Sequence, residues 1–286
     1  MIDGIIIKGI GGFYYVLCEN VVYECKARGI FRKNKVTPLV GDNVKIQLKA
    51  DGTGSICEIL PRKTELVRPP AANVDTLVIV ISAAFPEPDM TLVDKMLIQA
   101  EKCNIKPVIC INKTDLGQRD DIAEIYSNAG YNVLKVSAEK KEIPDELIEL
   151  LRGKVTAFSG VSGVGKSSLL NVIAGSDMET GSLSDKIQRG KNTTRHVELL
   201  QAFDGFVFDT PGFSSFELAG IPHNDLWEYF PEFHGKTEFC RFRDCSHTSE
   251  QADCAVKAAV ENGEISESRY NSYCELYKIL KENKIY

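Results

Sequence analysis

The run Gly160-Val-Ser-Gly-Val-Gly165-Lys166-Ser167 has the spacing G-x-x-x-x-G-K-[ST], with apolar VTAFS before it and SSLLNVIAG after it. A strand entering such a loop and a helix leaving it turn backbone N–H groups inward, onto polyphosphate oxygens. Gly160, Ser162, Gly163, Val164, Gly165 and Ser168 would form or border that cradle. Lys166 would reach the β- and γ-phosphates, and the Ser167 hydroxyl would ligate Mg²⁺. The loop by itself does not choose between ATP and GTP. Asn112-Lys113-Thr114-Asp115 can make that choice, because a carboxylate at Asp115 accepts from guanine N1–H and the 2-amino group, donors that adenine lacks. Asn112 would pin the loop, and the Lys113 stem would cover the base. Ser137-Ala138, ending the next strand, can offer a backbone N–H to guanine O6.

Further along, Asp209-Thr-Pro-Gly212 closes the apolar run GFVFD. Asp209 is placed to hold Mg²⁺ through water, and the Gly212 N–H to sense a γ-phosphate. Upstream, Thr193 and Thr194 sit in a polar loop, where Thr194 could complete the Mg²⁺ shell only with the γ-phosphate present. Cys240, Cys245, His247 and Cys254 offer three thiolates and an imidazole, a tetrahedral set for one structural Zn²⁺ with no open position. Their spacing is wider than a C-x2-C knuckle, and buried free thiols beside a surface histidine is the competing reading.

These groups need elements to hold them. From Asn73 onward, strand-like and helix-like runs alternate: TLVIVIS, a helix with Val93, Met96, Leu97 and Ala100 at helical spacing, KPVICIN, a helix near 120–129, YNVLKVS, a helix near 144–151, then VTAFS and the loop. RHVELLQA and FVFD follow, which predicts a doubly wound α/β sheet over 71–216. Residues 1–70 instead carry five short strand-like runs separated by Gly and Asp turns. That pattern predicts a small β-barrel, an OB-fold first and an SH3-like barrel as the alternative. Arg68-Pro69-Pro70 reads as a linker, and 217–286 reads as helical around the cysteines, with helices over 225–229, 255–261 and 268–281. Few large apolar residues stand out there, so a metal is expected to supply folding energy.

The chain of 286 residues has net charge −6, which disfavours nucleic acid on average. The average hides an asymmetry: residues 1–70 hold 11 Lys/Arg and 7 Asp/Glu, net +4, leaving 23 against 33 elsewhere. A basic N-terminal module is compatible with RNA contact, through Arg32, Lys33 and Lys35 and through stacking by some of Phe13, Tyr14, Tyr15 and Phe31. Barrel core is expected for at least half of those rings. Trp227 and Tyr229 are expected as core anchors of the C-terminal segment, and His223 and His234 as exposed. Nine cysteines, several alone in apolar runs, suggest reduced thiols in a cytoplasmic protein, and neither a secretory signal nor a membrane span is evident.

Taken in order, NKTD, SA, GVSGVGKSS, TT and DTPG resemble a circularly permuted GTPase. PLVGDNV, PRKTELVRPPAANVD, PGFSSFEL and CRFRDCSHTSEQADCAV narrow the resemblance to the RsgA (YjeQ/YloQ) family of small-ribosomal-subunit-dependent GTPases. The resemblance implies an OB-fold, a permuted GTPase domain and a C-terminal zinc domain. It implies GTP hydrolysis to GDP, stimulated by the 30S subunit during late maturation, with 16S rRNA as a contact, and we expect a monomer. Phe213 follows DTPG where Ras-like enzymes place a water-orienting glutamine, and a phenyl ring cannot do that. In this family a histidine commonly precedes the switch threonines; here that position is Asn192, which with Thr194 is the candidate for positioning water. Asn192 cannot serve as acid or base, and His196 lies four residues on. A guanine-nucleotide sensor without useful hydrolysis is the second reading, and an ATPase or kinase is disfavoured by Asp115. Permutation also puts DTPG directly ahead of the zinc segment, so loss of the γ-phosphate at Gly212 is expected to shift that neighbour.

Overall fold

The computed structural model describes residues 1–67, 69–176, 197–209, 218, 220–248 and 253–282. The N-terminal strands are β1 (Ile2–Ile10), β2 (Phe13–Cys18), β3 (Val21–Ala27), β4 (Asn43–Leu48) and β5 (Gly54–Ile59), with the short helix α1 (Gly29–Lys33) after β3. They run in the order β1-β2-β3-β5-β4, and β4 closes back on β1. β3 and β5 are parallel and the other pairs antiparallel. Closure with that order is the OB arrangement, which removes sheet edges in a barrel too small for a large core. Alternation puts Val44 and Ile46 inside with Ile6, Val16 and Ile56. Of the four rings set aside for stacking, Tyr14 and Phe31 pack against this core, and none is fully buried.

The expected linker is a paired hairpin. β6 (Glu65–Val67) and β7 (Pro70–Ala72) are antiparallel, with Leu66 opposite Ala71. The Ala72 N–H donates to the Val40 carbonyl at 2.9 Å, and Asn73 Nδ2 donates to the Gly41 carbonyl at 2.8 Å. The proline pair therefore sits beside a turn that is fastened to the barrel.

The second sheet has the order β10 (Asn132–Lys135), β9 (Lys106–Asn112), β8 (Thr76–Ser82), β11 (Val155–Ser159), β13 (Gly205–Asp209), β12 (Glu198–Ala202). All neighbours are parallel except β12 with β13. Every residue of β8 is buried, as a strand covered on both faces requires. Leu77, Ile79 and Ile81 face α2 (Met90–Lys102) and α3 (Asp120–Asn128), while Val78 and Val80 face α4 (Asp145–Leu151) and α5 (Lys166–Ser176). The four predicted positions of α2 are all buried, and its N-terminus is capped by Asp89, which accepts from the Leu92 N–H at 3.0 Å.

The C-terminal region is helical as expected, with 3₁₀ turns at His223–Tyr229, Pro231–Phe233 and Thr237–Phe239, then α6 (Ala255–Glu261) and α7 (Glu267–Glu282). The expectation of a weak apolar core there is corrected. Leu226, Phe230, Phe233, Val256, Tyr273 and Leu276 form a buried cluster that includes Cys245 and Cys254 and reaches Ile98 on α2. The first turn is 3₁₀, so Leu226 and Phe230 are buried while Trp227 and Tyr229 are half-buried against the cluster. His234 is exposed, whereas His223 is half-buried with its ring 5.2 Å from Tyr277. No helix among the described residues is long and apolar enough to cross a membrane.

Candidate nucleotide site and metal centre

Three loops meet at the carboxyl ends of β9, β10 and β11, the place where open α/β sheets bind ligands. Asn112, the last residue of β9, is buried and holds all three together. Its Nδ2 donates to the Val164 carbonyl at 2.9 Å, and its Oδ1 accepts from the Ala138 N–H at 3.1 Å. Lys113 Nζ donates to the Gly163 carbonyl at 2.7 Å and to the Phe85 carbonyl at 2.6 Å. The Asn112–Asp115 run and the glycine-rich loop, about 50 residues apart in sequence, thus share one hydrogen-bonded frame.

Glycine is forced at two points of that frame. Gly165 has φ +92°, and a Cβ there would lie 2.4 Å from Asn112 Nδ2; Gly160 has φ +141°, and a Cβ there would lie 2.2 Å from the Val80 carbonyl oxygen. Lys166 opens α5 with its Nζ inside the loop, donating to the Gly160 carbonyl at 2.5 Å and the Val161 carbonyl at 2.9 Å. Burial lowers its pKa from the ordinary lysine value, which a polyphosphate in the loop would offset. Ser162, Ser167 and Ser168 lie on the same loop and first turn.

Asp115 is half-exposed, and Ser137 Oγ donates to its Oδ1 at 2.6 Å. That bond holds the carboxyl below the usual carboxylate value, so it is an acceptor at neutral pH. Ser137 and Ala138 lie in the same frame. The Ser137 N–H is bonded to the Glu142 carbonyl at 3.0 Å, and the Ala138 N–H to Asn112, so both amides serve the frame. Asp209 ends β13 beside β11. Asn192, Thr193, Thr194, His196, Gly212 and Phe213 lie outside the described residues.

Cys240, Cys245, His247 and Cys254 come together with all four donor atoms within 4.8 Å of one another. The Cys240 and Cys254 sulfurs stand 3.5 and 3.6 Å from His247 Nδ1 and 3.9 Å apart. A tetrahedron with zinc–ligand bonds of normal length has edges of roughly 3.5–3.8 Å, so these residues fit one zinc ion. Burial pushes the Cys245 thiol up to about 12 and raises that of Cys254, so a dication is what would keep them as thiolates. Burial lowers the His247 pKa, which favours the neutral ring that ligation needs. Trp227 and Phe233 stand edge-on to that ring at 6.2 and 6.3 Å, and Tyr273 OH donates to the Ser246 carbonyl at 2.7 Å, fixing the turn between ligands.

Comparison with known proteins settles what kind of molecule carries this frame. A model of the RsgA GTPase matches residues 59–219, and one of the RsgA N-terminal domain matches residues 3–56. The chain belongs to the RsgA GTPase family. A small ribosomal subunit biogenesis GTPase RsgA from Ruminiclostridium cellulolyticum is 53% identical, covering 98% of this chain and 94% of its own. The one from Alkaliphilus metalliredigens is 48% identical, with both chains fully covered. Among solved structures, YloQ, a circularly permuted GTPase, superposes with a TM-score of 0.82 at 42% identity, over all of this chain and 97% of that one. YjeQ from Thermotoga maritima gives 0.81 at 37% identity, over 97% and 98% of the two chains. The chain is therefore a GTPase, and the permuted motif order is a property of its fold.

Two features of this chain had no signal in the sequence. The Phe85 carbonyl, from the turn after β8, helps hold Lys113. Arg269 on α7 is buried, its Nη1 donating to Asp94 Oδ1 on α2 at 2.5 Å and its Nε and Nη2 to Glu232 at 2.7 and 3.1 Å. Tyr126 OH on α3 donates to the same Asp94 oxygen at 3.0 Å. The guanidinium lies 4.6 Å over the Phe230 ring. Burial opposes its charge, but Asp94 and Glu232 outweigh burial and hold the pKa well above the ordinary value. Only an alternation of residues 175 positions apart would have revealed that pair, and one sequence contains none.

Proposed function

We propose that the chain binds and hydrolyses GTP as a cytoplasmic, monomeric factor in biogenesis of the 30S ribosomal subunit, with hydrolysis stimulated by that subunit and 16S rRNA among its contacts. The observation that carries the nucleotide part is Asn112, whose side chain joins the phosphate loop to the base-reading run. The partner rests on the relatives at 53% and 48% identity over 98% and 100% of this chain, which are small ribosomal subunit biogenesis GTPases. The working units are 1–70, 71–216 and 217–286.

In this reading Asp115 accepts from guanine N1–H and N2–H, with Ser137 aiming and ionising it. The stem of Lys113 covers the base. The amides from Gly163 to Ser168 and the Lys166 ammonium take the phosphates, and Ser167 with Thr194 would hold Mg²⁺, with Asp209 behind a water. That ion would neutralise charge on the β- and γ-oxygens. The Gly212 N–H and Thr193 would contact the terminal phosphate. Asn192 would orient the attacking water, a task that Phe213 cannot perform. The barrel and the metal-held C-terminal region would grip the ribosomal partner.

Two measurements test the reading. Steady-state GTP turnover with and without 30S subunits should rise with the subunits; equal rates would remove the ribosome-coupled part. Asp115→Asn should weaken GTP by about two or more orders of magnitude and favour xanthine nucleotides, since the carboxylate acceptor becomes an amide that presents a donor to guanine N1–H and N2–H. Unchanged guanine preference would remove the base assignment.

A further inference from the structure

Lys113 is held by two carbonyls that come from different parts of the fold. One is Gly163 in the phosphate loop; the other is Phe85, in the segment 83–88 that joins β8 to α2. The Phe85 ring is 83% exposed, so packing of that side chain does not place its carbonyl. The turn itself must place it. Its ends are fixed: Ser82 closes β8 in register with Asn112, and Asp89 caps α2. Between them the Ala83 N–H donates to the Asn112 carbonyl at 2.7 Å, and Glu87 pairs with Arg119 at 2.6 Å. Neither bond reaches the Phe85 carbonyl.

Ser82 reaches it. This residue is fully buried, and its Oγ accepts from the Ala84 N–H at 3.2 Å while donating to the Phe85 carbonyl at 3.1 Å. The same carbonyl accepts from Lys113 Nζ at 2.6 Å, using its second lone pair. Ala84 N–H, Ser82 O–H and the Phe85 carbonyl thus form a chain in which each bond polarises the next. A buried hydroxyl has no water to exchange for these partners, so it keeps them. The turn also packs on the phosphate loop. A Cβ at Gly163 would lie 3.7 Å from Pro86 Cδ, and Pro86 and Pro88 line a small cavity together with Gly160 and Val164. Without the hydroxyl, no other donor among the described residues would keep the Phe85 carbonyl turned inward except Lys113 itself.

We propose that Ser82 is a positioning residue for guanine-nucleotide binding: its hydroxyl fixes the Phe85 carbonyl, which together with the Gly163 carbonyl lays the Lys113 stem along the base. Ser82 touches no nucleotide and acts through Lys113. The inference rests on the reading of Lys113 as the cover of the base and names the residue that sets it in place.

The test measures binding of N-methylanthraniloyl-GDP to the full-length chain in magnesium buffer, with a urea-denaturation curve for each variant. Ser82→Ala should weaken the nucleotide by about three- to tenfold, the usual worth of one hydrogen bond. Ser82→Cys, which keeps the volume but bonds weakly, should lose about as much. Parent-like affinity in both variants would overturn the proposal. The sharper comparison is a cycle with Lys113→Ala. That variant should weaken binding more than either serine variant, and adding Ser82→Ala to it should cost no further affinity. An equal loss in both backgrounds would mean that Ser82 supports the fold at large, and the proposal would fall. Amide exchange at Ala84 should speed up in Ser82→Ala while Leu92, at the cap of α2, exchanges as in the parent; equal acceleration at both would overturn it too. If Lys113→Ala bound the nucleotide like the parent, the reading of Lys113 would fall and this inference with it. A loss with Lys113→Ala and none with either serine variant would sink this inference alone.

Discussion

The GTPase sheet is joined to its two neighbours by seams that use the same device in different surroundings. At the barrel seam, the segment after β5 that leads on to the sheet is tied back to the barrel: Arg62 Nε and Nη2 donate to both oxygens of the buried Asp42 at 2.7 and 2.9 Å, and Nη2 also donates to the Thr37 carbonyl at 2.7 Å. Asp42 also accepts from the Leu39 N–H at 2.7 Å. The Arg62 side chain is 18% exposed, so water reaches part of this group. At the C-terminal seam, Arg269 and Asp94 are each 1% exposed, and apolar side chains from both sides surround them. The barrel and the sheet also share one strand contact, Lys8 opposite Glu198, and beyond it β1 and β12 diverge around an open cleft of about 880 Å³. The lesson concerns motion. The barrel is fastened at a hinge-like strip, whereas the C-terminal region is fused to α2. A shift of the zinc region relative to the sheet, as expected from its position after DTPG, must therefore carry α2 along or break a buried ion group.

Four experiments would break or sharpen that contrast. Chelating the metal should have the largest effect, because structural zinc contributes on the order of 10 kcal/mol to folding of its site. Hydrogen exchange should then rise across 240–254 while α7 stays protected by Arg269 and the apolar cluster; equal loss in both would mean that the seam depends on the metal. Arg269→Ala, which strands two buried carboxylates, should cost about 3–5 kcal/mol by urea denaturation. A cost near zero would remove the case for fusion. Arg62→Ala should cost about 1–3 kcal/mol, since Asp42 keeps its backbone donor and gains water. Should it exceed Arg269→Ala, the ranking of the seams is reversed. Lys8→Ala should cost less than about 1 kcal/mol, as a partly exposed pair does, and should speed proteolysis near the barrel junction if the strip is the hinge.

The legible parts were those carried by local spacing. Val93, Met96, Leu97 and Ala100 announced α2 because a helix repeats within four residues. The glycines and Lys166 announced the phosphate loop because a backbone that turns onto phosphates needs positive φ at fixed intervals. Less legible was the hairpin at Leu66 and Ala71, hidden behind a proline pair that reads as a break. The Ser137 and Ala138 amides were visible as residues, but their engagement with Glu142 and Asn112 was not, because backbone partners leave no trace in composition. The apolar cluster under the cysteines was missed for a related reason: Phe230, Phe233 and Tyr273 are scattered, and they converge only through 3₁₀ turns and a long return.

From sequence alone came the small barrel, the alternating strands and helices, the phosphate-loop spacing, the Asn112–Asp115 run, the set of three cysteines and one histidine, and the family resemblance. Each depends on residues a few positions apart, whose geometry the chain itself enforces. Only the tertiary structure decided that Asn112 would bind two loops into one frame and that Arg269 would be buried against Asp94 and Glu232. Those outcomes depend on which distant segments share a surface. Burial and pairing are set by that shared surface, and no interval in the sequence encodes it.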